Sequence, residues 1–208
     1  TVDSLTVSGT SAFLKLGTGT LRLHGTGTLS INTKKNYVGN AVVAANGDAP
    51  NGTTRGITVG TGTMVQGEVD DDANAPTVSV AGNELTIGSY TTQGDATYVL
   101  NNGTLMNTSS LYLGYYAYEK LTARPVLRFV QNGGVMRTSK SLNVVYCNNK
   151  YAQNADAEFV MNGGTAWFGE ELRISYDKAK DPDAQYSRFV VNDGVIAFAK
   201  DAYFAYAT

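Results

Sequence analysis

The chain is 208 residues long, enough for one large domain or two small ones, and 42% of it is hydrophobic, so it can bury a core. Only 16% is charged, and 16 basic against 18 acidic side chains leave a net charge of −2, which gives no bulk attraction to nucleic acid or to an anionic membrane surface. No apolar run approaches the roughly 18 residues of a membrane-spanning helix, and a single cysteine, Cys147, excludes an internal disulfide.

In chain order, the sequence opens TVDSLTVSG, with neither an initiating Met nor a signal-peptide pattern. It is therefore expected to be a processed chain or a cut from a longer one. Residues 1–95 are rich in Gly and Thr and keep a strand rhythm: LTVSG, FLKLGTGTLRLHGTGTLSI, ITVGTGTMV, LTIGS. Apolar residues alternate with polar ones, as on strands with one buried face. The only histidine, His24, lies inside this rhythm and reads as an outward strand residue rather than a base. Its glycines precede no helix that could present a phosphate site. The acidic stretch QGEVDDDANAP (66–76) is where the chain would break if it broke at all. Asp70, Asp71 and Asp72 offer the oxygen ligands that calcium takes. Their spacing fits no EF-hand or repeat calcium motif, so they read as a solvated loop and no metal is expected.

From residue 96 onward the chain repeats. YVLNNG begins at Tyr98, and FVQNGG, FVMNGG and FVVNDG occupy 129–134, 159–164 and 189–194. Asparagine recurs at Asn101, Asn132, Asn162 and Asn192, and glycine two residues later at Gly103, Gly134, Gly164 and Gly194. The opening aromatic is Tyr98, then Phe129, Phe159 and Phe189. Downstream, Leu111, Leu142, Leu172 and Ala202 align, then Leu113, Val144, Ile174 and Phe204, then Tyr115, Tyr146, Tyr176 and Tyr206. LTIG at 85–88 matches LYLG at 111–114 and carries the pattern back into the earlier half. A period near thirty means one structural unit stacked on its copies. Each unit reads as strand, Asn-Gly turn, strand, a second corner (SKS at 139–141), strand and polar loop. The predicted fold is all-β: a parallel β-helix, or β-solenoid, with three short strands per rung of about thirty residues. It is read as one continuous solenoid, irregular over 1–95 and regular over 96–208.

Stacking equivalent residues makes ladders. The asparagines are expected to bond side chain to side chain at a corner and the aromatics to stack inside. Thr97, Arg128, Glu158 and Arg188 precede the aromatics, and an outward Arg–Glu–Arg column alternates in sign. Val99, Val130, Val160 and Val190 then face outward as a stripe suited to lateral packing, and Gln131 falls inward as a polar misfit. The tyrosine ladder reads as capping the third strand. Tyr116, Tyr118, Tyr151 and Tyr186 lie in the loops and form a candidate ligand edge for a sugar or a partner protein. Glu170 and Glu171 are adjacent at a corner, and no acid pair recurs in adjacent rungs as a glycoside-cleaving groove would need. No catalytic constellation, cofactor motif or zinc site emerges, so a non-enzyme is expected.

The stretch FLKLGTGTLRLHGTGTLSI resembles the repeats of autotransporter passenger domains, through Leu14, Lys15, Gly17, Gly19, Thr20, Leu21 and Leu23. The family pattern places one more residue between the first Leu and the Lys. The NGGT and LTIG units are similar to repeats of large secreted bacterial β-helix proteins. The resemblance implies a right-handed parallel β-helix that is extracellular or on the bacterial cell surface, and it transfers no active-site residue.

The functional expectation is a structural solenoid: a stalk or filament subunit joined head to tail through uncapped ends, since FAYAT at the C-terminus shows no polar cap. The alternatives are an adhesin that binds a host protein or glycan through its stacked loops and, behind it, a polysaccharide-active β-helix enzyme.

Overall fold

The computed structural model describes residues 4–8, 20–23, 27–32, 37–39, 55–80, 84–88, 95–115, 124–147, 156–177 and 187–204. The earlier strands are β1 (Ser4–Ser8), β2 (Thr20–Leu23), β3 (Thr28–Asn32), β4 (Tyr37–Gly39), the long β5 (Arg55–Gln66), β6 (Thr77–Val80) and β7 (Glu84–Ile87). One 3-10 turn, Asp72–Asn74, precedes β6. Then come triads: β8 (Ala96–Leu100), β9 (Thr104–Asn107) and β10 (Leu111–Tyr115); β11 (Val126–Gln131), β12 (Val135–Thr138) and β13 (Leu142–Cys147); β14 (Asp156–Met161), β15 (Thr165–Phe168) and β16 (Leu172–Asp177); β17 (Ser187–Val191), β18 (Val195–Phe198) and β19 (Ala202–Phe204).

Every pairing is parallel, and each strand pairs with its equivalent one rung away, as the thirty-residue period predicts. The second strands build a seven-stranded sheet in the order β1-β3-β6-β9-β12-β15-β18. The first strands stack as β2-β5-β8-β11-β14-β17 and the third strands as β4-β5-β7-β10-β13-β16-β19. Long β5 joins both stacks into one twelve-stranded sheet, pairing through Arg55–Val59 on one and Gly62–Gln66 on the other. The chain is thus a parallel β-solenoid, and its described residues are all-β but for one short turn. The ladders run across residue 95, because β5, β6 and β7 pair with β8, β9 and β10. The acidic stretch 66–76 is an enlarged corner within the stack, where the later rungs use the short Asn-Gly turn.

The alternation read from the sequence puts one side of each strand inside. Tyr98, Phe129 and Phe159 are fully buried, as are Leu111, Leu113, Leu142 and Val144. Burying each such side chain contributes about 1.5–3 kcal/mol. At the corner of each regular rung the glycine has positive φ, 67° at Gly134, and a Cβ there would lie 2.6 Å from the carbonyl oxygen of Gly103 in the rung before. Rungs about 4.8 Å apart leave no room for that atom, so the corner must be glycine for space as well as for dihedral. Val145 also has positive φ, 54°, in β13 between the paired positions Val144 and Tyr146. Gly88, just after β7, and Gly114 in β10 have positive φ at the matching point, so Val145 is a β-branched residue held where its predecessors in the stack are glycine.

Candidate functional site

The corner carries a continuous amide ladder. The Nδ2 of Asn132 donates to Oδ1 of Asn101, that of Asn162 to Asn132, and that of Asn192 to Asn162, each at 2.8 Å. Asn101 ends the ladder by donating to the carbonyl of Gly67 at 3.1 Å. Inside, the rings of Tyr98, Phe129, Phe159 and Phe189 stack with centroids 5.3 to 5.4 Å apart, and Phe168 stacks on Phe198 at 4.9 Å. Offset stacking of this kind adds about 0.5–1.5 kcal/mol per pair beyond burial.

The aromatic column begins with a polar handle. Tyr98 donates its hydroxyl to Oε1 of buried Gln66 at 2.6 Å, and Gln66 donates to the carbonyls of Pro76 and Thr104. Burial pushes the Tyr98 phenol up, far above the ordinary tyrosine range. Gln131 is inward and fully buried; its amide nitrogen reaches the carbonyls of Gly134 and Thr165, while its Oε1 has no partner. The misfit is therefore accommodated through backbone oxygens of two rungs.

Outside, Arg128 bonds Glu158 at 2.8 Å and Arg188 lies 3.5 Å from the same carboxylate. Val99, Val130, Val160 and Val190 stand beside this column, partly buried. The backbones of Tyr115, Tyr146 and Tyr176 pair in register. Tyr206 and the loop tyrosines Tyr116, Tyr118, Tyr151 and Tyr186 lie outside the described residues, as does His24.

The acidic corner is built for itself. Asp71 caps the 3-10 turn by accepting from the amide of Ala73 at 3.0 Å and from Asn74 Nδ2 at 2.8 Å. Asp70 sits at positive φ, 54°. Among the described residues no group of three His, Cys, Asp or Glu could hold a metal ion, and Asp70, Asp71 and Asp72 do not converge into one. No described helix is long and apolar enough to cross a membrane.

Two surfaces carry what the core and corners do not use. The first is the last described rung. There Phe189, Ile196 and Phe198 become half-buried, and Phe204 is 65% exposed although its column-mates Leu113 and Val144 are fully buried. The second is the outer face of the seven-stranded sheet. It bears the column Ser79, Met106, Arg137, Trp167, Ala197 and, beside it, Thr77, Thr104, Val135, Thr165, Val195. Trp167 is 45% exposed and Met106 41%. Sequence reasoning missed this face. The signal was available: Trp167 sits one residue after inward Ala166, so alternation sends it outward.

Comparison with family models, curated proteins and solved structures finds no match.

Proposed function

We propose that this chain is a structural β-solenoid, an extracellular or cell-surface shaft that serves as a stalk or filament subunit, with its last described rung a template for further stacking. The observation that carries the reading is that rung. Its apolar columns come to the surface at Phe204 and Val191, and β17, β18 and β19 each pair on one side only among the described residues. Open parallel edges over an apolar floor are a template for more β-structure. The template is specific. Arg188 calls for an acid above it, Phe189 for another ring, and Asn192, whose Nδ2 is used below, offers a free-standing Oδ1 to the next amide. A non-catalytic role is supported by how the repeat spends its residues: the recurring Asn, aromatic and charged positions all serve contact between rungs.

The test is electron microscopy and sedimentation of the purified chain over a concentration series, beside Phe204→Lys. Rods that lengthen with concentration, and stop lengthening in the variant, support the reading. Rods of one length at every concentration in both proteins overturn self-assembly.

A further inference from the structure

We propose that the outer face of the seven-stranded sheet around Trp167 and Arg137 binds an acidic glycan, a polysaccharide whose sugars carry carboxylates. The two outer faces treat their arginines differently. On the first-strand stack the arginines at 128 and 188 share Glu158. On the seven-stranded sheet Arg137 stands between Met106 and Trp167 in its column, with Thr104, Val135 and Thr165 beside it. Neither outward column of that sheet contains an acid from β6 to β18, and no described ion pair or ring contact holds Arg137. Its charge is therefore uncompensated, on a surface otherwise neutral.

The indole beside it is equally unengaged. Trp167 is followed in its column by Ala197, which has no side chain long enough to cover the ring. Its backbone is fixed between two parallel partners, so the ring is presented by a rigid strand rather than a loop. An exposed indole on a flat pleated surface offers its face to the C–H face of a pyranose ring. One rung away, Arg137 offers a planar fork that pairs a carboxylate bidentately. The hydroxyls of Thr104 and Thr165 border the same strip, where sugar hydroxyls would fall. Spaced at one residue per rung, about 4.8 Å, the columns suit an extended polymer lying along the stack. A protein partner is the poorer fit, because threonines and an unpaired cation interrupt the apolar side chains.

The chain has one tryptophan, so its emission reports on this face alone. The intact protein is titrated with oligogalacturonate, with a neutral cello-oligosaccharide as control, and affinities are repeated by calorimetry. The expected result is a saturable change in emission with the acidic probe only. Arg137→Gln should weaken that binding about tenfold or more, as loss of one charge-assisted contact does. Trp167→Ala should abolish it by calorimetry while the far-ultraviolet dichroism stays that of the parent. Equal response to the neutral probe, full affinity in Arg137→Gln, or no response to either glycan would each overturn the proposal; the last would leave the face to a protein partner.

Discussion

The rungs from residue 96 onward and the strands before them are stacked in the same sheets but held in register by different means. The later rungs repeat large, directional side chains, so ring meets ring and amide meets amide. The earlier strands repeat Thr and Gly, and their order is correspondingly loose. β4 pairs beneath the first part of β5, which itself runs on into a second stack, and the pairings of β5 with β4 and β7 each shift by a residue. The difference teaches that backbone ladders alone allow parallel stacking, whereas side-chain ladders fix which residue sits on which. Gln66 and Tyr98 lie where the two regimes meet, and there one designed hydrogen-bond set replaces a repeated column.

The sharpest way to break the later regime is Phe129→Ala, which removes the middle of the aromatic stack. It should cost about 3–5 kcal/mol in urea unfolding, against about 1 kcal/mol for Leu21→Ala at the half-buried start of the same column. Gly134→Ala should cost about 1–3 kcal/mol, and so should Gly67→Ala. Both have positive φ and both would press a Cβ against backbone oxygen, although one lies in an Asn-Gly turn and the other in the acidic corner. Equal losses would show that the two regimes share one corner geometry under different sequences.

The two buried glutamines separate the regimes further. Gln66→Leu leaves the buried Tyr98 hydroxyl without its acceptor and removes the amide bonds to the carbonyls of Pro76 and Thr104, and should cost about 1–3 kcal/mol. Gln131→Leu also removes a buried oxygen that has no partner, so its net effect should stay within about 1 kcal/mol. Tyr98 gives a pH signature. Burial raises its pKa in the folded state, so the neutral phenol stabilises the fold fully below the unfolded value, about 10, and stability falls as pH rises past it. Relative to Tyr98→Phe, the parent should lose about 1.4 kcal/mol per pH unit above that point. The smallest effect is expected from Glu158→Gln, less than about 1 kcal/mol and diminished by salt, since both arginines are half-exposed.

What could be read beforehand follows the same division. The matches of Asn101 with Asn132, of Leu111 with Leu142 and of Arg128 with Glu158 were legible because a solenoid writes its register as sequence periodicity. Even Gln131 was legible as inward, though its carbonyl partners were not, since no spacing in one dimension reveals which backbone oxygens come within reach of a buried amide. The displacement of β4 and the double membership of β5 left no trace, because Gly-Thr alternation looks the same in any even register. The binding strip at Trp167 was hidden for another reason: residues that vary from rung to rung carry no periodic signal.

The asparagine column has a direction. Were the Asn101 amide reversed, its oxygen would face the carbonyl oxygen of Gly67, so that single contact sets the orientation of the first side chain, and each later asparagine must follow. Four parallel amides add their dipoles, as peptide groups do along a helix, and such chains of bonds polarise one another. The corner therefore behaves as a small wire with a positive base and a negative tip at Asn192. An asparagine stacked the wrong way round would bring oxygen against oxygen, so the ladder distinguishes its two directions electrically as well as by shape.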